Sequence, residues 1–298
     1  MVPLKAFTDP VKNEPQIIDL GPLFSNPIRA VSLEEFIKVL KEKVIETTAV
    51  YSFDLDGTLT TNFKLDLNGV ASFLFGLIAN EDVTIVINTG RSLPSLLKTI
   101  NDIDPKILQS SDLTRFMLLA DNGASFAYFE KTPNITYALK TFRVDCFSKK
   151  ILQRFSNEKE LQFSDITECD STHLKFLVSE STKAVEQFVT NNSQYEFQTL
   201  AAHGVFKYRN LSKGESLALL IKDRKSVHFG DSWNDVSTLN KVDLLVSVRN
   251  SNITPPLKVK AQHPDERTTI VLHSPAGIAG VKAVFESGCL NSFLDINQ

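Results

Sequence analysis

The sequence predicts an α/β protein, a parallel-sheet core into which a smaller α+β domain is inserted. Three observations carry this expectation. Apolar, β-branched runs alternate with runs of helical periodicity from residue 32 to about 126. The texture then changes to longer, more polar strands over 127–206, and the alternation resumes after Leu211. Strand–helix alternation implies right-handed crossovers and parallel pairing. The expected division is an N-terminal arm and helix over 1–47, core over 48–126, an α+β cap over 127–206, and core again over 207–298.

The elements follow in order. Pro3, Pro10, Pro15, Pro22 and Pro27 punctuate residues 1–30, which read as an irregular arm. Ser32 and Glu35 form a capping box opening a helix with Phe36, Val39, Leu40 and Val44 at helical spacing. The strand AVYSFDL ends abruptly in the polar turn DGTLTTN. A helical stretch from Leu67 to Ala79, the strand VTIVINTG, a helix from Pro94 to about Asn101 and the strand FMLLADNG follow. Two strand–helix–strand patterns fill 127–206 and include STHLKFLVS and AAHGVFKYRN. KGESLALLIKDR then reads as a helix, SVHFGD as a strand and DVSTLNKV as a helix. The charged turns lie at carboxyl ends of strands, where open α/β sheets carry their sites.

Composition narrows the function. With 298 residues, 42% of them hydrophobic, the chain can bury one large core or two modest ones. Thirty-two basic residues against 35 acidic ones leave a net charge of −3, which offers no global attraction for nucleic acid or acidic membranes. An anionic substrate must therefore be held by local charges. Cys146, Cys169 and Cys289 are too scattered for a disulfide framework or a C-x-x-C metal site and are expected as reduced thiols. No leader-like segment, 18-residue apolar run or lipidation cysteine is seen, so a soluble cytoplasmic protein is expected and the N-x-S/T tripeptides at Asn134, Asn191, Asn210 and Asn252 read as chance. Oligomeric state and the purpose of the arm are not legible.

Asp54 and Asp56 in FDLDGT lie two apart at a strand end, so both side chains project toward one face. Carboxylates that close repel unless a cation sits between them, and Gly57 permits the sharp turn that follows. D-x-D alone also fits a surface turn or a metal-binding glycosyltransferase motif. In this context FDLDGTLT resembles the first motif of the haloacid dehalogenase superfamily of phosphatases. Thr89 in INTGR resembles the second motif, Lys213 in LSKGES the third, and GDSWND, with Asp231, Asn234 and Asp235, the fourth. Asp121-Asn122-Gly123-Ala124 is similar to the E-N-G-A stretch of the Cof-like branch, with Asp in place of Glu. That branch carries a C2-type cap between its second and third motifs, where the smaller domain was placed from texture alone. The resemblance covers about residues 48–288.

The resemblance implies a Rossmann-like core, Mg²⁺ as cofactor and a small phosphorylated metabolite, a sugar phosphate by class, as substrate. Asp54 would be nucleophile and metal ligand. Asp56 would protonate the leaving oxygen and then deprotonate water, its backbone carbonyl joining the metal shell. Asp231 would bind the metal directly, with Asn234 and Asp235 completing or supporting the site, and Lys213 would bridge Asp54 and the phosphate. Thr89 and the backbone at Leu55 and Asn122 would hold phosphate oxygens, with Gly90 and Arg91 beside the substrate. In the cap, strand alternation puts His203, Val205, Lys207 and Arg209 on one face, and His173 with Lys175 likewise. Lys175, Lys207 and Arg209 are thus expected to grip the substrate, against the competing reading of a solvated outer face.

Bland roles compete. Thr89 could cap the helix beginning near Ser92, Lys213 could be an ordinary lysine at a helix start, where a cation is disfavoured, and Arg91 could meet only solvent. Trp233 reads as a packing residue and His228 as a satisfied core residue. A phosphomutase of the phosphomannomutase type shares the first motif and cap position and is the alternative activity. A silent scaffold would be favoured by loss of Asp54, Asp56, Lys213 or Asp231, and all four are present.

Overall fold

A computed structural model describes residues 27–60, 66–109, 112–133, 137–144, 166–169, 173–177, 182–192, 195–200, 203–249, 257–264 and 266–290. The first part of the chain supplies β1 (Arg29–Val31), α1 (Leu33–Glu42), β2 (Ala49–Phe53), α2 (Leu67–Asn80), β3 (Val83–Asn88), α3 (Leu93–Asn101), α4 (Pro105–Gln109), β4 (Phe116–Ala120), β5 (Ser125–Lys131) and β6 (Tyr137–Val144). A second unit follows with β7 (Ile166–Cys169), β8 (His173–Leu177), α5 (Thr182–Asn191), β9 (Tyr195–Leu200) and β10 (His203–Tyr208). The chain then returns through α6 (Lys213–Ile221), β11 (Lys225–Gly230), β12 (Leu244–Val248), β13 (Leu257–Val259), β14 (Thr269–Ser274) and α7 (Gly277–Glu286).

Ten strands form one sheet in the order β1-β6-β5-β4-β3-β2-β11-β12-β14-β13. Its centre is parallel, from β4 through β3, β2, β11 and β12 to β14. β2 is interior and buried along its whole length, so its residues alternate between two apolar layers rather than between core and water. Tyr51 and Phe53 face a layer completed by Val70 and Leu74 of α2, Leu96 of α3 and Val281 of α7. Val50 faces the other, with Phe36 and Leu40 of α1 and Leu217 and Leu220 of α6. Both layers clamp the central strand, which fixes what its carboxyl end presents.

Helix starts follow local chemistry. Ser32 Oγ accepts from the Glu35 N–H at 3.2 Å, while the Glu35 carboxylate turns to Arg29 at 2.5 Å instead of closing the capping box. Asp66 caps α2 through the Gly69 N–H at 3.0 Å, and Ser212 caps α6 through that of Glu215 at 3.1 Å.

The structure corrects the expected boundary at residue 127. β5 and β6 belong to the large sheet, so the smaller sheet, in the order β7-β8-β10-β9, starts only at Ile166. The polypeptide reverses after β4 through Asp121, Asn122 and Gly123, all at positive φ, and β5 returns antiparallel beside β4. Phe126, Phe129 and Leu139 then bury against the large core. The alternating polarity of these strands marks a half-exposed flank of the core, not a separate domain. DVSTLNKV also differs from expectation, forming a 3₁₀ helix over Trp233–Thr238. The arm over residues 1–26 and Cys146 lie outside the described residues. Among the described residues, no helix is long and apolar enough to cross a membrane.

Candidate active site

Parallel pairing of β2 with β11 matches Phe53 to Phe229, and the Asp54 N–H continues the ladder to the Phe229 carbonyl at 2.8 Å. Asp54 and Asp231 therefore leave the sheet side by side. The 3₁₀ helix after Ser232 doubles back and returns Asp235 to them, while α6 delivers Lys213 from above. Each of Asp54, Asp231 and Asp235 offers an oxygen within 4.8 Å of the others. Gly57, at φ +83°, turns the chain directly over Asp231, whose carboxylate a Cβ at that position would strike.

Lys213 is buried, with Nζ donating to Asp54 Oδ1 at 2.6 Å and to Asp235 Oδ1 at 2.8 Å. One ammonium thus bridges two of the three carboxylates. Burial pushes Asp54 up to about 7, with Asp235 adding to the rise and Lys213 opposing it. Burial and the nearby Asp235 also raise Asp231. Burial pulls Asp235 the same way, but the His228 and Lys213 contacts outweigh it and hold that carboxyl well below the usual range. Burial would lower Lys213, yet its two carboxylates keep it raised and charged. Asp231 Oδ1 is buried and has no partner. An excess of carboxylate oxygen with one orphaned acceptor fits a hard, oxygen-seeking dication such as Mg²⁺.

Around this centre Arg91 donates to Asp56 through Nε at 2.7 Å and Nη2 at 2.5 Å, a bidentate clamp. Thr89, buried at the end of β3, accepts the Arg91 N–H at Oγ1 (3.2 Å) and does not cap α3. Asp121 does so instead, taking the Leu93 N–H at 3.2 Å and the Ser125 hydroxyl at 2.5 Å. The Asn122 N–H is engaged by the Thr89 carbonyl at 3.1 Å, so it is the Asn122 side chain, accepting from Asn234 Nδ2 at 3.2 Å, that faces the site. Gly90 lies against that same side chain.

No protein-family model and no curated protein matches this sequence. Solved structures do. A crystal structure of a protein from Eubacterium rectale aligns with TM-score 0.52 at 15% identity, covering 80% of this chain and 98% of that one. Sucrose-phosphatase from Synechocystis, in complex with sucrose and phosphate, aligns with TM-score 0.49 at 13% identity, over 80% of this chain and 97% of that one. Trehalose-6-phosphate phosphatase of Aspergillus fumigatus aligns with TM-score 0.49 at 16% identity, over 76% and 91% respectively. This likeness, at 15% identity, is one of fold: an α/β core shared with the Eubacterium rectale protein.

Within this fold, the sequence-predicted core residues Asp54, Asp56, Thr89, Arg91, Asn122, Lys213, Asp231, Asn234 and Asp235 converge at the carboxyl end of the central strands. On the smaller sheet, Lys207 and Arg209 meet neighbours of that sheet. Lys207 pairs with Glu196 at 3.0 Å, and Arg209 Nη2 reaches the Tyr195 carbonyl at 3.5 Å. Lys175 stands opposite Glu168 in register, its side chain outside the described residues. The face expected to be basic is therefore salted with acids at matching positions. Trp233's side chain is likewise outside the described residues.

His228, expected as a satisfied core residue, is one, and sits between Ser52 Oγ and Asp235 Oδ1 at 3.0 Å from each. Sequence reasoning missed its link to Asp235, and it missed Ser232, whose N–H and hydroxyl meet Asp235 Oδ2 at 3.0 and 2.9 Å. The available signal was a polar residue at the same level of two neighbouring apolar strands.

Proposed function

We propose that this chain is a magnesium-dependent phosphohydrolase that releases phosphate from a small phosphorylated metabolite, a sugar phosphate by class, through an aspartyl-phosphate formed on Asp54. The observation that carries this reading is the pairing of Asp54 Oδ1 with the buried Lys213 ammonium beside the orphaned Asp231 oxygen. A carboxylate so held can attack phosphorus, and the same centre has room in its charge balance for a cation.

Asp54 attacks in line, forming the O–P bond as the bond to the leaving oxygen breaks. Asp56, held by Arg91, donates a proton to that oxygen, then accepts one from the water that hydrolyses the aspartyl-phosphate. Lys213 bridges Asp54 and the phosphoryl group, neutralising charge on both. The Thr89 hydroxyl and the backbone at Leu55 and Gly90 orient the phosphoryl oxygens. Mg²⁺, held by Asp54, Asp231 and the Asp56 carbonyl with Asn234 and Asp235 in support, would supply further charge neutralisation.

The β7–β10 sheet with α5 is proposed as a C2-type cap that admits small substrates. Lys175, Lys207 and Arg209 would read the substrate there, with Lys207 paired to Glu196 so that donor and acceptor stand together, a surface suited to hydroxyls. A panel of phosphorylated metabolites, assayed for phosphate release with Mg²⁺ and with chelator, tests the reading. Metal-dependent release from sugar phosphates is expected, and full activity in chelator would defeat it. Interconversion of sugar 1- and 6-phosphates outpacing release, with stimulation by a bisphosphate, would move the chain to the mutases.

A further inference from the structure

We infer that His228 is a positioning residue of this site, fixing the Asp235 carboxylate and, through it, the Lys213 ammonium in line with Asp54. Its kinetic consequence rests on the phosphohydrolase reading; its geometry does not.

His228 is fully buried in β11, in register with Ser52 of β2 and Leu245 of β12. The layer beneath α6 is mainly apolar, with Val50, Val86, Leu217 and Leu245 in one cluster, and it also buries Ser52, Asn88 and Ser216. An unpaired polar group there costs about 1–3 kcal/mol, so packing alone favours a hydrocarbon side chain. The imidazole is instead paired at both ends, with Ser52 Oγ at Nδ1 and Asp235 Oδ1 at Nε2. Asp235 is an acceptor, so Nε2 carries the proton and Nδ1 accepts from the serine hydroxyl. Burial lowers the imidazole's proton affinity, in keeping with this neutral form.

The chain of bonds thus has one direction, Ser52 to His228 to Asp235. At its end Asp235 Oδ1 receives His228 and Lys213, and Oδ2 receives the Ser232 N–H, with the Ser232 hydroxyl shared between Oδ2 and Asn234 Oδ1. Donors at both oxygens hold that carboxylate in one orientation. Without His228, the only partner left to Oδ1 is Lys213, a flexible side chain shared with Asp54. A residue that merely filled space would not need to terminate on the carboxylate that shares this ammonium.

Three variants of the full chain test the inference: His228→Leu removes both bonds at similar volume, His228→Gln keeps a donor, and Ser52→Ala removes only the distal bond. His228→Leu is expected to lower kcat about 10–100-fold with KM changed less than about twofold, and to weaken Mg²⁺ binding measured by calorimetry about tenfold. His228→Gln should recover most of both losses. The metal-free crystal structure of His228→Leu should show Asp235 Oδ1 turned away from Lys213 Nζ. A lower Tm with wild-type kcat, Mg²⁺ affinity and Asp235 rotamer would reduce His228 to a core residue and overturn the inference. If His228→Leu does not fold, Ser52→Ala decides, with a smaller shift of Mg²⁺ affinity in the same direction expected and no shift overturning it. Should the wild-type protein release phosphate from no metabolite, the phosphohydrolase reading falls alone, and the Asp235 rotamer in the variant still decides the role of His228.

Discussion

The two ends of the large sheet carry similar residue types and opposite electrostatics. At the amino end a groove of about 390 Å³ is lined by three bases, Lys43, Arg115 and Lys131, and three acids, Glu46, Asp112 and Glu130. These side chains settle among themselves and their neighbours: Lys131 meets Asp112 at 3.5 Å, Arg115 lies 3.9 Å from Asp82, and Lys43 stands over the Tyr128 ring at 4.2 Å. At the carboxyl end three acids crowd together, one buried lysine bridges two of them, and a buried oxygen of the third is left over. Size of opening does not locate chemistry here; imbalance of buried charge does.

Four experiments can break or sharpen that contrast. The largest effect belongs to Asp54→Asn, which should lower phosphate release by about 10⁴-fold or more while far-UV and thermal profiles stay cooperative, because the amide cannot attack and one of several crowded charges is removed. Substantial residual turnover would move the nucleophile elsewhere. Asp56→Asn should follow with about a 10²–10⁴-fold loss on alkyl phosphates and a much smaller loss in phosphoenzyme formation from activated aryl phosphates, whose leaving oxygen needs little protonation. Equal losses on both would remove Asp56 from the acid role.

The third test reads the imbalance itself. Asp54 is raised to about 7 in the folded protein, so between its ordinary value near 3.8 and that point the folded state binds a proton the unfolded state has released. Stability from this group is therefore lost as pH rises through the window. In chelator, wild type should lose Tm relative to Asp54→Asn between pH 5 and pH 7, and a constant difference would contradict the burial argument. The smallest effect is expected at the amino end: Lys131→Ala, breaking an exposed pair, should change stability by less than about 1 kcal/mol and kcat by less than about twofold. A large effect there would mean that the balanced end is not inert.

Most of the parallel centre was legible because β2, β3, β4 and β11 are uninterrupted apolar runs ending in charged turns, and α2 and α6 follow with helical periodicity. β5 and β6 were not, since antiparallel strands that are half exposed alternate in polarity whether they flank a large sheet or build a small one. Within the site, Asp54, Lys213 and Asp231 were legible as residue types whose chemistry needs company. Arg91 was visible but not its partner, because a bond between residues 56 and 91 depends on how two loops fold back. His228 is the satisfied core residue the sequence suggested, but its partners were not legible, because an apolar strand gives no sign of what crosses its face. The acidic partner on the smaller sheet was hidden for a related reason: alternation assigns residues to a face, but only register reveals that Glu196 stands across from Lys207.

The pairing of β2 with β11 joins residues 52 and 228, which lie 176 positions apart. During synthesis β2, buried along its whole length in the sheet, can acquire β3 early but must wait for β11 until three quarters of the chain has left the ribosome. At roughly 5–20 residues per second that delay is on the order of 10–35 s, during which a long apolar strand keeps one edge open to any other unpaired strand nearby. Chaperone demand should therefore peak before the fourth motif emerges, and a nascent chain stopped short of Asp235 would expose an open sheet edge and hold an incomplete site.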